Sequence, residues 1–184
     1  MPKKATLPTP NQRTRDTAKS RASYRVKRIF QTIQGEGYWT GTPSVFVRFV
    51  GCNMWSGYES DRERDAQANN ANCPRWCDTE FTPEGSATYT ADELVQAVKD
   101  EAGPVRHIVC TGGEPLLQLD SALVRAFANA GFYVHVETNG TVSLDSAFSD
   151  IRPFWITCSP KLPAERVPIE PMNELKLVVP DYHP

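Results

Sequence analysis

The 184-residue sequence lacks a long hydrophobic run. No apolar stretch approaches the roughly 20 residues that a transmembrane helix needs. The first residues, MPKKAT, are not followed by the apolar core of a signal peptide. We therefore expect a protein that neither spans a membrane nor is secreted, and we place it in the cytoplasm.

A surplus of charge of one sign is also absent. The 20 Lys and Arg residues are balanced by 22 Asp and Glu residues, which gives a formal net charge of -2 at pH 7. Such a chain has no overall basic field to attract nucleic acid phosphates or anionic lipid. We therefore expect neither a nucleic acid nor a membrane as partner, and the sequence favours a small, locally bound ligand.

Two segments are poor in large apolar side chains. Residues 1–22 are rich in Lys and Arg but contain one acid, Asp16, which predicts a disordered basic tail rather than part of the core; a targeting peptide is the alternative. The remaining residues, 23–184, have the length of one domain. Within them, residues 53–72 are predicted to be a surface insertion, in which Ser60 and Glu63 can form a capping box over a short helix.

The rest of the chain alternates between strand and helix patterns. Strands are predicted at Ser44–Val50, His107–Cys110, Phe132–Glu137, Phe154–Thr157 and Glu174–Val179. Helices are predicted after Thr90, which can form a capping box with Glu93, and after Asp120 or Ser121. This alternation implies βαβ units and a parallel sheet, either open or closing toward a barrel.

Reactive and ligating side chains follow four of these strands. They occur in Gly51-Cys52, Thr111–Pro115, Glu137–Gly140 and Ser159–Lys161. Because ligands bind at the carboxyl ends of parallel strands in such folds, we expect these segments to meet at one edge of the sheet.

Five cysteines, an odd number in a chain without a secretion signal, favour metal or redox chemistry over a disulfide framework. Cys52, Cys73 and Cys77 fall in one loop. A structural zinc site needs a fourth ligand, which Cys110, Cys158 or a histidine would have to supply. An iron–sulfur cluster held by three cysteines instead leaves one iron open to bind substrate. The spacing by itself leaves both possibilities open.

The cysteine loop and the glycine-rich segment resemble the radical S-adenosylmethionine superfamily. The resemblance rests on Gly51-Cys52-Asn53, Trp76–Thr79 and Thr111-Gly112-Gly113-Glu114-Pro115. Within that superfamily, five segments resemble the 7-carboxy-7-deazaguanine synthases of queuosine biosynthesis: Thr32–Gly37, Phe49–Trp55, Glu137–Gly140, Ser159–Lys161 and Asn173–Lys176. The similar segments run from Tyr24 to Pro180 and occur in the family's order.

The resemblance implies three cofactors: a 4Fe-4S cluster on Cys52, Cys73 and Cys77, S-adenosylmethionine, and Mg²⁺ bound by Thr79. The residues that it assigns to S-adenosylmethionine are Trp76, Cys77, Asp78, Gly113, Glu114, Glu137, Ser159, Pro160 and Lys161. Those that it assigns to the substrate are Ile33, Gln34, Gly35, Arg48 and Thr111. No side chain is assigned as catalytic, because the radical is carried by the cofactor.

Three of these assignments also make chemical sense. Gly113 lets the backbone approach the methionine moiety closely, and the Glu114 carboxylate can accept a hydrogen bond from its ammonium group. Arg48 interrupts an apolar strand and needs an anionic partner if it is buried. That partner is either a carboxylate or pterin oxygen of the substrate or a protein carboxylate such as Glu36.

The implied reaction is a radical-mediated ring contraction. It converts 6-carboxy-5,6,7,8-tetrahydropterin to 7-carboxy-7-deazaguanine with loss of ammonia, as a carbon–nitrogen lyase. The family further implies a homodimer and an electron donor such as flavodoxin or ferredoxin. Two alternatives are a glycyl-radical-enzyme activase and a catalytically impaired or zinc-binding truncated homologue.

The implied fold is a partial, opened (β/α) barrel of the radical S-adenosylmethionine type. We expect its C-terminal part to be missing, because the family continues into another strand beyond the position of Pro184. The loop also departs from the usual superfamily spacing. Three residues, Pro74-Arg75-Trp76, separate Cys73 from Cys77, where the superfamily usually has two.

Overall fold

The computed structural model describes residues 23–144, 148, 150–151, 154–163, 166–167 and 171–179. The predicted basic tail, residues 1–22, and the end of the chain, residues 180–184, lie outside the described residues. The predicted domain boundaries therefore stay a prediction.

The described residues form a mixed α/β fold around one seven-stranded sheet. The strands are β1 (Tyr24–Ile33), β2 (Pro43–Phe49), β3 (Ala87–Tyr89), β4 (His107–Gly112), β5 (Tyr133–Thr138), β6 (Phe154–Cys158) and β7 (Glu174–Leu175). The helices are α1 (Arg62–Asn69), α2 (Cys73–Trp76), α3 (Ala91–Ala102) and α4 (Ser121–Asn129). The strand order is β3-β1-β2-β4-β5-β6-β7, and in the described part of the chain the sheet is open between β3 and β7.

The predicted parallel sheet is confirmed from β2 to β7. β1 departs from it, because it runs antiparallel to both β2 and β3. The predicted strand at 174–179 is too long, since the ladder with β6 ends at Leu175. No helix in the described part of the chain has the length and apolar character required to cross a membrane.

Two of the three predicted helix starts are confirmed. Thr90 and Glu93 form a reciprocal capping box at the start of α3, and the Asp120 carboxylate accepts a hydrogen bond from the Leu123 N–H at the start of α4. The capping box predicted for Ser60 and Glu63 is wrong. A 3₁₀ turn at Glu59–Asp61 precedes α1, which begins only at Arg62, and Asp61 provides no side-chain cap.

The main core lies between the sheet and helices α3 and α4. Val47, Ile108 and Val136 are fully buried strand residues of this core, and α3 and α4 contribute Leu94 and Phe127. Burying such apolar side chains is the main stabilising term of the fold. Cys110 belongs to this core, as expected for a small hydrophobic residue, and burial raises the pKa of its thiol.

The prediction that residues 53–72 are a surface insertion is wrong for its first residues. Met54 and Trp55 are buried, and Met54 packs in a second apolar cluster with Cys73 and Leu162. Sequence inspection missed this because two apolar residues among many charged ones give no periodic signal. The loop between the first two loop cysteines therefore has a core of its own.

Two histidines lie buried in the sheet, well before the strand ends. His107 Nδ1 is 2.7 Å from Ser44 Oγ, and His135 Nε2 is 2.8 Å from Thr157 Oγ1. Burial lowers the pKa of both, that of His135 to about 3. His135 is therefore a neutral histidine of the core.

The lowered pKa of His135 predicts that acid destabilises the protein. A histidine that charges at pH 6.5 when unfolded but only near pH 3 when folded contributes stability above pH 6.5, and this is lost as the pH falls toward 3. Between pH 7 and pH 5 we expect His135 to account for a loss of about 2 kcal/mol in the free energy of unfolding. Urea unfolding at the two pH values measures it. His135→Gln should flatten the dependence, and an equally steep dependence in that variant contradicts the prediction.

Candidate active site

A cavity of about 730 Å³ opens where the parallel strands end. Eleven of the residues predicted for the site line it: Cys52, Cys73, Trp76, Cys77, Asp78, Thr79, Thr111, Gly113, Glu137, Ser159 and Lys161. These residues come from four separate strand ends and from the cysteine loop. The expectation that the strand ends meet at one edge is thus confirmed.

The three loop cysteines reach this cavity from two directions. Cys52 follows β2, whereas Cys73 and Cys77 lie at the beginning and just beyond the end of the single helical turn α2. The Cys77 N–H donates to the Cys73 carbonyl oxygen over 2.9 Å, which is an i to i+4 helical bond. Residues four apart in a helix share a face. The unusual three-residue spacing is therefore accommodated by one complete helical turn.

The thiols are held in a partly desolvated environment. Burial raises the pKa of Cys52 to about 11 and that of Cys73 to about 12. The Met54 N–H donates to Cys52 Sγ over 3.4 Å, and Lys161 favours the thiolate form of Cys73. All five cysteines are free of disulfides. Without added positive charge from a metal, the Cys52 and Cys73 thiols therefore stay protonated at neutral pH.

The arrangement differs from a site for a single metal ion. Among the described residues, no three His, Cys, Asp or Glu side chains lie close enough together to hold one ion. Cys110 and Cys158, the cysteines considered as a fourth zinc ligand, are fully buried in apolar clusters. The three loop thiols thus share a cavity without forming a mononuclear site.

Glu137 is the centre of a polar network beside the cavity. Its Oε1 accepts a hydrogen bond from Gln34 Nε2 over 3.0 Å, and its Oε2 accepts one from Thr111 Oγ1 over 3.3 Å. Lys176 Nζ lies 3.8 Å from Oε1 and 2.8 Å from Glu36 Oε2. The network joins β1, β4, β5 and the segment after β7, so it fixes the relative positions of four strand ends.

Lys176 and Glu36 were missed as site residues. The attraction of Glu137 and Glu36 raises the pKa of Lys176 even though burial opposes it, so Lys176 is cationic at neutral pH. From the sequence, Lys176 was assigned no role, and Glu36 was considered only as a possible partner of Arg48. Lys176 directly follows β7, and Glu36 lies in the turn after β1. These positions at strand ends were the signal that could have indicated a place in the site.

Glu114, unlike most of the predicted site residues, does not line the cavity. Its carboxylate is fully buried outside the cavity lining, and it accepts hydrogen bonds from Thr138 Oγ1, the Asn139 N–H and the Leu116 N–H. Burial raises its pKa despite these bonds. Glu114 therefore ties the end of β4 to the end of β5, and its contact with S-adenosylmethionine stays a prediction.

Replacing Glu114 by glutamine should weaken this connection. The amide NH₂ group cannot accept a hydrogen bond, so one of the buried donors around the side chain loses its acceptor, at a cost of about 1–3 kcal/mol. Urea denaturation of the apo protein measures the loss. Glu36→Gln, on an exposed carboxylate, is the matched control, and equal stability of the two variants contradicts the prediction.

Gly113 lies where two strand ends touch. A Cβ atom at this position would be 2.2 Å from the Gly51 carbonyl oxygen and 2.6 Å from Cys52 Cβ. The Glu114 N–H also donates to the Gly51 carbonyl oxygen over 2.9 Å. The glycine is therefore required to hold the Cys52 backbone against the end of β4.

Lys161 is a half-buried cation at the cavity wall. Its Nζ donates to Ser159 Oγ over 2.6 Å and lies 5.4 Å from the centroid of the Trp76 ring. Burial lowers its pKa. The described part of the chain supplies no carboxylate within ion-pair distance of Nζ, so the cavity offers this cation to an anionic group.

The remaining predicted residues lie outside the cavity lining. Arg48 is level with Thr111 in the sheet register, and the described residues offer it no carboxylate within ion-pair distance. Its alternative partner, Glu36, pairs with Lys176 instead. Gln34 reaches the site through its hydrogen bond to Glu137. Its neighbours Ile33 and Gly35 are exposed, and Pro160 is buried beside Ser159.

Asn139 is a further residue of the site for which no role was predicted. Its Nδ2 lies 3.9 Å from Cys52 Sγ and donates to Asn53 Oδ1 over 3.0 Å. Asn139 follows β5 directly and lines the cavity. Its side chain thereby links the end of β5 to the first cysteine.

The open α/β sheet, with cysteines gathered at the carboxyl ends of its strands, is similar to the crystal structure of QueE from Escherichia coli. The TM-score is 0.62 at 25% identity, covering 84% of this chain and 71% of that chain. This places the protein in the class of radical S-adenosylmethionine enzymes. No protein-family model matches the chain.

Curated relatives define the family. The chain is 45% identical over 165 residues to the 7-carboxy-7-deazaguanine synthase of Burkholderia multivorans, covering 86% of this chain and 72% of that protein. It is 44% identical over 165 residues to the synthase of the same name from Caulobacter vibrioides, with the same coverage. The chain belongs to the 7-carboxy-7-deazaguanine synthase family, which confirms the resemblance found in the sequence.

Proposed function

We propose that this protein is a 7-carboxy-7-deazaguanine synthase. It converts 6-carboxy-5,6,7,8-tetrahydropterin to 7-carboxy-7-deazaguanine with release of ammonia, in queuosine or other 7-deazapurine synthesis. The observation that carries the proposal is the single cavity, in a chain of this family, that contains the three loop cysteines together with Thr111, Gly113 and Glu137.

Cys52, Cys73 and Cys77 are the proposed ligands of a 4Fe-4S cluster. The fit is supported by their donor chemistry: three disulfide-free thiols share one cavity, and Cys52 Sγ accepts a backbone hydrogen bond, as sulfur ligands of such clusters do. When bound, the cluster and S-adenosylmethionine supply a carbon-centred radical that removes hydrogen from the substrate. The apolar walls Met54, Trp55 and Phe81 limit the access of water to this space.

The part of the cavity formed by the residues beside Cys77 and by the ends of β4, β5 and β6 is proposed to bind S-adenosylmethionine. Gly113 leaves its backbone open to close approach, and Lys161 offers a desolvated ammonium group to a carboxylate. The set that the family implies is completed by Glu114 and by Trp76, Cys77, Asp78, Glu137, Ser159 and Pro160. Glu114 contributes in this structure by accepting hydrogen bonds from the Thr138 hydroxyl and the Asn139 N–H.

The pterin is proposed to bind between β1, β2 and the Glu137 network. Arg48 lacks a carboxylate partner among the described residues and can pair with the anionic substrate. Gln34 and Thr111 both donate to the Glu137 carboxylate, and Ile33 and Gly35 flank Gln34. Asp78 and Thr79 line the cavity, which supports Mg²⁺ as a third cofactor that orients the substrate carboxylate.

Several broader features belong to the same proposal. The fold is a partial, opened (β/α) barrel, which the parallel run from β2 to β7 supports. The enzyme acts in the cytoplasm as a homodimer and receives electrons from flavodoxin or ferredoxin. The location, the homodimer and the electron donor follow from the family resemblance.

Anaerobic reconstitution tests the proposed function. The protein is incubated with iron, sulfide, S-adenosylmethionine, Mg²⁺, a reductant and the carboxytetrahydropterin, and the products are separated and identified by mass spectrometry. We expect 7-carboxy-7-deazaguanine, and none when S-adenosylmethionine is omitted. Formation of 5′-deoxyadenosine alone would exclude this substrate and direct attention to a glycyl-radical partner, and bound zinc without labile sulfide would support the zinc-binding alternative.

A further inference from the structure

The helical turn that joins Cys73 to Cys77 is too short to be stable alone. α2 contains four residues, whereas isolated helices shorter than about 12 residues are marginal in water. A helix end also leaves its last carbonyl groups without partners inside the helix. Whatever satisfies those carbonyls therefore decides whether the turn, and with it the position of two thiols, is maintained.

Arg62, the first residue of α1, satisfies two of these carbonyls. Its Nη1 donates to the Pro74 carbonyl oxygen over 2.5 Å, and its Nη2 donates to the Cys77 carbonyl oxygen over 3.1 Å. The two acceptors lie inside the turn and just after it. A single planar guanidinium group thus binds both through separate nitrogens, as its fork geometry allows.

The guanidinium group is itself fixed in place. Its carbon lies 4.4 Å from the centroid of the buried Trp55 ring, and its Nε donates to Glu59 Oε2 over 2.6 Å. Such stacking on an aromatic ring is a favoured arrangement for arginine. About a fifth of the Arg62 side chain is exposed, since its relative accessibility is 22%. Its hydrogen bonds are therefore partly shielded from water.

The helix that carries Arg62 is anchored to the same loop. Asn69 Nδ2 donates to the Met54 carbonyl oxygen over 2.7 Å, and the Ser56 N–H donates to Asp65 Oδ2 over 2.8 Å. α1 is thus tied to the segment directly after Cys52. The residues between the first two cysteines form a folded connection from Cys52 to the Cys73–Cys77 turn.

We propose that Arg62 is a positioning residue for the cluster ligands Cys73 and Cys77. It closes the end of the helical turn that the three-residue spacing produces, and so keeps both thiols directed to the cavity. The role of these thiols as ligands rests on the proposed function. The closure of the turn by Arg62 rests on its own hydrogen bonds and is testable in the apo protein.

Arg64 provides a matched control on the same helix. Its guanidinium group pairs with Asp61 and Asp65 and is 66% exposed. Arg64→Gln removes one positive charge from α1, as Arg62→Gln does, but leaves the Pro74 and Cys77 carbonyls bonded. Arg62→Lys retains the charge but lacks the planar fork that places separate nitrogens on the two carbonyls, so it should give an intermediate result.

The first measurement is the alkylation rate of each cysteine in the anaerobic apo protein, followed by peptide mass spectrometry. In Arg62→Gln we expect Cys73 and Cys77 to react at least about fivefold faster than in Arg64→Gln, because the turn opens more often. Cys110 and Cys158, buried in apolar clusters, should remain protected in both variants. The second measurement is the rate at which a chelator removes iron from the reconstituted protein, which should rise in the same order.

Each outcome decides the proposal. Equal reactivity of Cys73 and Cys77 in the two glutamine variants overturns it. Faster reaction of all five cysteines, including Cys110, also overturns it, because Arg62 would then support the whole fold rather than the turn. If the wild-type protein binds no iron and sulfide, the proposed function fails, while the alkylation pattern still decides the role of Arg62.

Discussion

Replacement of Cys77 by alanine is expected to abolish formation of 7-carboxy-7-deazaguanine and to reduce cluster iron to background. Two thiols hold the cluster less securely than three, and this cavity offers no substitute, since no further cysteine lines it among the described residues. We expect a loss of at least about a hundredfold in product formation, comparable to or greater than the effects of removing supporting groups around a metal. Iron, labile sulfide and product are measured on the same reconstituted sample.

Cys110→Ala is the matched control for this prediction. Cys110 is as small as Cys77 but lies fully buried in the core between the sheet and its helices. Its loss leaves a small cavity in the core and should lower stability by about 1 kcal/mol without removing iron. Retention of product formation by Cys77→Ala, or loss of iron in both variants, would show that the ligand assignment is wrong.

The location of the site could be predicted from the sequence because it depends on a general property of parallel sheets. Cys52, Thr111, Glu137 and Ser159 each lie at or just beyond the end of a strand that hydrophobic pattern alone identifies. Their carboxyl ends must then lie side by side. The roles of individual residues required the family resemblance, because spacing left zinc and an iron–sulfur cluster equally open.

Other features depend on contacts between distant segments, which a single sequence does not reveal. Glu114 follows a glycine-rich strand end, where a carboxylate is typical of a ligand-binding residue. In the structure, this carboxylate accepts a hydrogen bond from the Asn139 N–H, 25 positions away. Lys176 pairs with Glu36 across 140 positions. Neither pairing has a local pattern, since both arise only when the strand ends have assembled.

The cysteine loop shows the same limitation at shorter range. Its charged residues predicted a surface insertion, and its spacing departed from that usual in the superfamily. In the structure, Arg62 packs on Trp55 and binds the turn between Cys73 and Cys77. A charged residue that serves as a hydrogen-bond donor to buried backbone is indistinguishable in the sequence from one that is merely solvated.

Gly113→Ala is expected to separate the end of β4 from Cys52. The added methyl group would overlap the Gly51 carbonyl oxygen and Cys52 Cβ, at 2.2 and 2.6 Å. The first of these is a backbone atom, so the overlap cannot be relieved by rotating a flexible side chain. Overpacking of this kind costs about 1–3 kcal/mol or more, and here the strain falls on a proposed cluster ligand.

We expect this variant to retain less than about a tenth of the wild-type product formation, with reduced iron per chain and a lower urea midpoint. Gly35→Ala is the control for cluster assembly, because a Cβ atom at Gly35 meets nothing within 4 Å. It should retain normal iron content and stability, whatever its effect on substrate binding. Normal iron and product formation in Gly113→Ala would mean that the contact between β4 and Cys52 is dispensable, and that the glycine serves neither the cluster nor S-adenosylmethionine.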